Sequence, residues 1–265
     1  MAQSADYTPF SERRITLFDS SVYVRDWSPA TDSPKAPVLL LHDSLGSVDL
    51  WRDFPSRLAS ASGRRVFAYD RIGFGRSSER SDRPNASFVS EEGQQVLPAL
   101  LHALDLEKVV LCGHSVGGGM AIEASVALPE RVHALVTIAA QAFVEDRTRE
   151  GISAAKKSFE DPDVLQRLAK YHGDKAAWVV DAWTEVWLSE AFASFNVERA
   201  IAKLQVPSLA IHGERDEYGS ALHPQLIANH ARGHVCMLDG VGHVPHRECP
   251  ELLVQVMAKF LLPVE

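Results

Sequence analysis

Six short stretches of almost uninterrupted apolar residues recur along this 265-residue chain, separated by segments long enough to hold a helix. A strand that is apolar on both faces is typical of a parallel sheet covered by helices on both sides. The alternation therefore predicts an α/β domain with a mostly parallel, doubly wound sheet. The stretches are VLLLH (38–42), RVFAYD (65–70), KVVLCG (108–113), ALVTIA (134–139), PSLAIHG (207–213) and HVCML (234–238).

The N-terminal part of the chain predicts a β-hairpin ahead of the first parallel strand. The stretches RRITLF and VYVRDW are rich in β-branched and aromatic residues, and they flank Asp19, Ser20 and Ser21. We therefore expect a hairpin over residues 13–27 that turns at these three residues. The proline-containing stretch SPATDSPKAP (28–37) then reads as a loop that leads into the sheet.

One long interval breaks the alternation of strands and helices. From about Ala142 to Val206 no buried strand is visible, and the residues show the pattern of three or four amphipathic helices. Because the interval is too long for a loop, we interpret it as a helical cap inserted into the sheet domain. Residues 1–141 and 206–265 then form the core, and residues 142–205 form the cap. Two helix starts are visible in the cap: Asp161 before Pro162, and Asp174 before a helix beginning at Lys175.

A nucleophile motif follows the third of the apolar stretches. Gly113-His114-Ser115-Val116-Gly117 matches the pattern G-x-S-x-G, and two more glycines and a helical run follow at once. The order of strand, tight turn and helix is the context that this motif requires. Glycine-rich turns of nucleotide-binding folds are the alternative, but the chain has no G-x-G-x-x-G after its first parallel strand and no G-K-S/T. Ser115 is therefore predicted to be a nucleophile at the N-terminus of a helix.

A serine nucleophile needs a histidine base, and His243 is the candidate. It lies in LDGVGHVPHRECP, on a glycine-rich loop after the last apolar stretch. His246 is the competing histidine in the same loop, and we interpret it as a surface residue or one that supports the base. The remaining candidates lack the strand-end context and are expected to be solvated; they include His102, His133, His172, His223 and His230.

The imidazole in turn needs a carboxylate, and Asp216 is the candidate. It follows the stretch PSLAIHG in the run GERDEY, which places it at the carboxyl edge of the sheet, where sites of such folds lie. Glu214 and Glu217 flank it and are the alternatives. The order Ser, Asp, His along the chain fits this arrangement.

Hydrolysis of an acyl group also needs N–H donors for the oxygen that becomes negative. The backbone N–H of Val116, directly after the nucleophile, is predicted to be one donor of this oxyanion hole. The second is expected in the loop His42-Asp43-Ser44-Leu45-Gly46 after the first parallel strand, and by position we assign it to Ser44.

Together these residues resemble the α/β-hydrolase superfamily from about Arg13 to the C-terminus, and DRIGFGRSS (70–78) is similar to the family's turn D-x-x-G-x-G-x-S. The first loop has Asp43 where glycine is usual, and DSLGS followed by Leu50 and Trp51 resembles 3-oxoadipate enol-lactonases. Ser115 separates the chain from the haloalkane dehalogenases and epoxide hydrolases, which use aspartate there, and Val116 separates it from perhydrolase-like members.

The resemblance implies an acyl-enzyme on Ser115, water attack assisted by His243, and no metal or organic cofactor. The predicted cap is rich in aromatic residues, and Trp183 and Trp187 are spaced i, i+4 on one helical face. Most of these aromatic residues are expected to pack the cap onto the sheet. We predict a substrate pocket lined by Leu45, His114, Trp183 and Trp187.

An apolar pocket indicates a small, largely apolar carboxylic ester or lactone as the substrate. A charged substrate would need an arginine near the site, for which Arg71, Arg76 and Arg147 are candidates. The alternatives are a C–C bond hydrolase of ring-cleavage products, a hydrolase-fold binding protein and a cofactor-free oxygenase.

Charge and cysteine content bear on partners and compartment. With 27 basic and 35 acidic residues the net charge is −8, and no basic stripe suggests nucleic acid as a partner. The N-terminal segment lacks the apolar region of a secretory signal, and no apolar stretch is long enough to span a membrane. The three widely spaced cysteines, Cys112, Cys236 and Cys249, argue against a disulfide framework or a zinc site. We expect a cytoplasmic enzyme that acts on a small molecule. A homodimer is one possible oligomeric state.

Overall fold

A computed structural model describes residues 9–31 and 33–264 of the chain. Residues 1–8, in which we expect no secretory signal, lie outside the described residues. So does Asp32 within the loop predicted over residues 28–37. Within the described ranges, no helix is both long and apolar enough to cross a membrane.

Eight strands of the described chain form one sheet in the order β1-β2-β4-β3-β5-β6-β7-β8. The strands from β3 to β8 run parallel, while β1 and β2 add an antiparallel hairpin at one side. This arrangement confirms the predicted α/β fold with a mostly parallel sheet. The strands are β1 (Phe10–Leu17), β2 (Ser20–Trp27), β3 (Val38–Leu41), β4 (Val66–Tyr69), β5 (Val109–His114), β6 (Val132–Ile138), β7 (Ser208–Gly213) and β8 (Gly233–Leu238).

Helices cover both faces of this sheet, and two separate apolar clusters result. In β3, Leu39 and Leu41 belong to the cluster on one face, whereas Val38 and Leu40 belong to the cluster on the other. The helices are α1 (Phe54–Ser62), α2 (Phe88–Glu91), α3 (Leu97–Ala103), α4 (Val116–Ala127), α5 (Asp146–Ser158), α6 (Pro162–His172), α7 (Ala176–Trp187), α8 (Glu198–Ile201), α9 (Leu222–Ile227), α10 (Pro245–Glu248) and α11 (Pro250–Leu261).

Two strand predictions need correction. The hairpin begins at Phe10 and turns at Phe18 and Asp19, because Leu17 pairs directly with Ser20 and the positive φ of Phe18 (48°) closes a two-residue turn. The strand β8 is not buried on both faces, since Val235 and Met237 are exposed. The reason is its place in the order, because β8 lies at the edge of the sheet beside β7 alone.

Helices α5 to α8 lie in the segment between β6 and β7 for which we predict a cap, and the division into core and cap stays a prediction. Of the two helix starts, the one at Asp161 is confirmed, because its carboxylate accepts the N–H of Asp163 at 2.9 Å and Pro162 opens the helix. The start at Asp174 is wrong. A 3-10 turn occupies Gly173–Lys175, so Asp174 lies inside this turn and α7 begins only at Ala176.

Candidate active site

Ser115 occupies a strained turn between β5, which ends at His114, and α4, which begins at Val116. Its φ of 54° and ψ of −124° lie outside the regions that a serine ordinarily adopts. The neighbouring glycines make this turn sterically feasible. A Cβ at Gly113 would lie 2.1 Å from the carbonyl oxygen of Gly117, and a Cβ at Gly117 would lie 2.3 Å from the carbonyl oxygen of Leu41. The turn therefore places Ser115 directly before the first residue of α4.

The candidate acid and base are directly hydrogen-bonded. Nδ1 of His243 lies 2.8 Å from Oδ2 and 3.0 Å from Oδ1 of Asp216, and both residues are buried. Asp216 follows β7 and His243 follows β8, so the carboxyl edge of the parallel sheet brings them together. Because the carboxylate accepts, Nδ1 carries the proton and Nε2 is left as an acceptor for a hydroxyl proton.

Electrostatics favours a charged Asp216 and a basic His243. Burial alone lowers the pKa of His243, but the hydrogen bond and charge of Asp216, with the charges of Asp43 and Glu217, raise this pKa on balance. Burial raises the pKa of Asp216, yet the hydrogen bond and charge of His243, together with the charge of His212, outweigh this effect and lower the pKa overall. The backbone N–H of Tyr218, 2.8 Å from Oδ1, adds to the lowering.

The Ser115 hydroxyl donates a hydrogen bond to Oε1 of Gln141 at 3.2 Å. Gln141 lies in the loop after β6, at the same edge of the sheet, and is not among the predicted site residues. The rule that sites lie beyond the carboxyl ends of parallel strands could have identified it, because it follows the predicted strand 134–139 by two residues. The side chain of Gln141 thus shares the cavity of Ser115 and His243.

The alternative acids and the alternative base have other environments. Glu214 is exposed and accepts the N–H of Gly240 at 2.8 Å, while Glu217 is exposed at the cavity wall. His246 is buried, so it is not a surface residue, and its ring packs 4.6 Å from that of Trp51. Burial lowers the pKa of His246 well below its usual value.

Two of the histidines that we expect to be solvated are buried instead. His172 accepts the N–H of Gly75 at 2.9 Å and contacts the carbonyl oxygen of Leu45 at 2.9 Å through its other ring nitrogen. His223 is fully buried and is likewise bonded through both nitrogens. A neutral imidazole both donates and accepts, so two such bonds satisfy it without solvent.

The predicted oxyanion donors lie in the expected elements. Val116 is the first residue of α4, and the N–H groups of a first helical turn have no acceptor within the helix. Ser44 lies in the cavity wall beside Asp43 and Leu45. Asp43 itself lines the cavity, and its Oδ2 atom lies 3.8 Å from Nδ1 of His114.

The turn at residues 70–78 braces the loop that carries Ser44. Nη2 of Arg71 donates to the carbonyl oxygen of Asp43 at 2.8 Å. The Asp70 carboxylate accepts the N–H of Val48 at 2.6 Å, and burial raises the pKa of Asp70 to about 6. Backbone groups on both sides of the predicted oxyanion residue are therefore held by buried side chains.

A cavity of about 390 Å³ is bounded by both Ser115 and His243. Of the four predicted pocket residues, Leu45, Trp183 and Trp187 line it, and His114 does not. The ring of His114 lies behind the site, because its Nε2 bonds to the carbonyl oxygen of His243 at 2.8 Å. Much of the wall is apolar. Leu45 contributes from the loop after β3, and the segment between β6 and β7 contributes Ile152, Phe159, Leu168, Trp183 and Trp187.

The three arginines considered for a charged substrate lie outside the cavity wall. Arg71 is buried beneath the loop at Asp43, Arg76 pairs with Asp49 at 2.9 Å, and Arg147 donates to the carbonyl oxygen of Asp216 at 3.3 Å. Two other arginines, Arg167 and Arg247, contribute to the wall instead. Both are largely exposed.

The parallel sheet, the strained serine after β5 and the bonded Asp216–His243 pair define a protein of the α/β-hydrolase class. The chain belongs to the alpha/beta hydrolase family, a family of hydrolases, whose model matches residues 38–256. The human serine hydrolase BPHL is 30% identical over 204 residues, which are 74% of this chain and 68% of that protein. The 1-acylglycerol-3-phosphate O-acyltransferase ABHD5 of Sus scrofa is 35% identical over 113 residues, 43% of this chain. That match spans only 32% of the length of ABHD5.

Solved structures agree with this assignment of the fold. The proline iminopeptidase of Mycobacterium smegmatis superposes with a TM-score of 0.73 at 23% identity, covering 95% of this chain and 97% of that one. The enol-lactonase of Burkholderia xenovorans LB400 superposes with a TM-score of 0.72 at 17% identity, covering 94% of this chain and 99% of that one. At these identities the similarity shows the fold.

Proposed function

We propose that the chain is a serine hydrolase that cleaves a small, largely apolar carboxylic ester or lactone through an acyl-enzyme on Ser115. One observation carries the proposal. A serine in a strained turn at a helix N-terminus shares a cavity with His243, whose Nδ1 lies 2.8 Å from the buried Asp216. The similarity to a human serine hydrolase and to the fold of an enol-lactonase supports it.

In the proposed reaction His243 and Asp216 activate Ser115. The Ser115 hydroxyl turns from Oε1 of Gln141 to Nε2 of His243, which takes its proton as the Ser115 oxygen attacks the carbonyl carbon, and Asp216 stabilises the resulting imidazolium. The N–H groups of Val116 and Ser44 stabilise the negative oxygen of the tetrahedral intermediate. His243 then protonates the alcohol as its bond to the acyl carbon breaks. It later takes a proton from the water that attacks the acyl-enzyme, and it returns this proton to the Ser115 oxygen as the acid is released. For a lactone, acid and alcohol leave as one molecule.

The size and lining of the cavity support a small substrate. A volume of about 390 Å³ lies near the lower end of ligand pockets, which span roughly 300–1,000 Å³. Trp183 and Trp187 supply apolar aromatic surface, and Ile152 on α5 adds an aliphatic one. A medium-length or aromatic acyl group fits such a wall better than a highly polar one.

The test is hydrolysis of p-nitrophenyl esters of increasing acyl length, together with a set of aliphatic lactones. We expect turnover with an optimum at short to medium acyl chains. Replacing Ile152 with tryptophan narrows the cavity, so kcat/KM for the longest ester should fall about 10-fold or more while the acetate ester is retained. The matched control is Leu222→Trp, because Leu222 is exposed and lies outside the cavity wall. Absence of turnover with every ester and lactone would contradict the proposal.

The pH dependence of kcat/KM should depend on Asp43. The negative charge of Asp43 raises the pKa of His243, so Asp43→Asn is expected to lower this pKa. Because only neutral His243 can accept the proton, the acidic limb of the pH profile should move to lower pH. Asp105→Asn, which removes the same charge at an exposed turn, is the control and should leave the limb in place. A limb that stays fixed in Asp43→Asn would contradict the predicted effect of the Asp43 charge on the pKa of His243.

A further inference from the structure

Glu145 sits between two loops of the candidate site, directly before α5. Its Oε1 accepts the N–H of Ser220 at 2.6 Å and contacts Nε2 of His223 at 3.0 Å, while its Oε2 accepts the Ser220 hydroxyl at 3.1 Å. The side chain of Glu145 is 19% exposed and that of His223 is fully buried. One carboxylate is therefore held by three hydrogen bonds to residues that follow β7.

His223 extends this contact back to the loop after β6. Its Nδ1 accepts the N–H of Ala142 at 3.1 Å, so Nε2 must carry the proton that is donated to Glu145. Ala142 is the neighbour of Gln141, whose side chain accepts the Ser115 hydroxyl. The loop that positions the partner of Ser115 is thus fixed through His223.

Ser220 extends the contact in the other direction, to Asp216. The N–H groups of Tyr218 and Gly219 donate to Oδ1 of Asp216 at 2.8 and 3.1 Å, and the next N–H, that of Ser220, donates to Glu145. Two more bonds from α5 reach the same loop. Thr148 donates to the carbonyl oxygen of Tyr218 at 2.7 Å, and Arg147 donates to that of Asp216 at 3.3 Å. The loop carrying the acid is therefore bonded to the first turn of α5.

We propose that Glu145 is a positioning residue: it holds the loop of Asp216 and the loop of Gln141 in the spacing that lets Asp216 orient His243 toward Ser115. The inference rests on the proposed serine hydrolase function. It also ties the start of α5, a helix that contributes Ile152 to the cavity wall, to the placement of the acid. Because a shift of about 1 Å can cost about 100-fold in rate, three hydrogen bonds on this loop matter for turnover.

Two conservative variants distinguish the hydrogen bonds of Glu145, which position the loops, from the effect of its negative charge. In Glu145→Gln the amide oxygen can replace Oε1 and accept from both Ser220 and His223, and the amide nitrogen can donate to the Ser220 hydroxyl oxygen. In Glu145→Asp the charge is kept, but the carboxylate is one methylene too short to make these bonds. Positioning therefore predicts that Glu145→Gln retains most of the turnover and that Glu145→Asp loses about 10- to 100-fold in kcat with little change in KM.

The experiment measures kcat, KM and the pH profile of p-nitrophenyl ester hydrolysis for both variants and for Glu150→Gln, an exposed control on α5. In Glu145→Asp the acidic limb should also move to lower pH, because a loosened Asp216 raises the pKa of His243 less. Thermal melting verifies that each variant is folded. Equal activity of Glu145→Asp and the unmodified protein would overturn the inference, as would a larger loss in Glu145→Gln than in Glu145→Asp. Failure of the unmodified protein to hydrolyse any ester or to react with a fluorophosphonate would instead contradict the proposed function itself.

Discussion

Replacing Ser115 with alanine is expected to abolish ester hydrolysis while leaving the fold intact. The hydroxyl is the proposed nucleophile, and loss of such a serine costs on the order of 10⁶ in kcat. The loss to stability is small, because alanine keeps the backbone of the turn and removes one hydrogen bond, to Gln141 at 3.2 Å. Such a bond contributes about 1 kcal/mol to the free energy of unfolding. The measurement is kcat/KM for a p-nitrophenyl ester, with thermal melting of the same preparation.

Ser125→Ala is the matched control for this prediction. Ser125 is a buried serine of α4, and its hydroxyl bonds to the carbonyl oxygen of Ala121 at 2.7 Å, away from the cavity. This variant should keep its activity. Retained esterase activity in Ser115→Ala would end the assignment of Ser115 as the nucleophile.

The second large effect is expected for His243 rather than for His246. His243 lies in the loop before α10 and His246 lies within α10, and both line the same cavity. Only His243 is bonded to Asp216, at 2.8 Å, whereas His246 packs against Trp51. His243→Ala should therefore lower kcat/KM by about 10³-fold or more, as removal of a triad base does.

His246→Ala is expected to act on stability more than on turnover. Removing its buried ring leaves a space beside Trp51, so the melting temperature should fall while the folded enzyme still hydrolyses ester. The melting temperature of both variants is measured first, and kcat/KM is then compared at a temperature at which both are folded. A greater loss of activity in His246→Ala than in His243→Ala would reverse the assignment of the base.

The fold was predictable because apolar stretches and the helix-length segments between them are both local features of the sequence. Continuous apolar stretches mark strands buried on both faces, and β3 to β7 obey this rule. The exposed face of β8, with Val235 and Met237, was not predictable in this way, since an apolar stretch does not report whether its strand lies at the edge of the sheet. The 3-10 turn at Gly173–Lys175, which shifts the start of α7 past Asp174, was not predictable either. Such turns are frequent at helix ends, and they favour the same residues as the first turn of an α-helix.

The residues of the candidate site were visible in the sequence to the extent that they follow strands. Ser115, Asp216 and His243 do so, and the structure brings Asp216 and His243 into contact. His114 was misplaced because its partner is a backbone oxygen 129 residues away. The contacts of Glu145 were not predictable for the same reason. Its bonds to Ser220 and His223 depend on how the loops after β6 and β7 pack together, and no local sequence pattern indicates this packing.

The most direct test of the central claim is to incubate the protein with a fluorophosphonate and locate the adduct by peptide mass spectrometry. The account predicts a single stoichiometric adduct on Ser115, formed together with loss of ester hydrolysis and absent in Ser115→Ala. An unmodified Ser115 in a protein that hydrolyses no ester would contradict the account and would favour a binding protein or a cofactor-free oxygenase on the same fold.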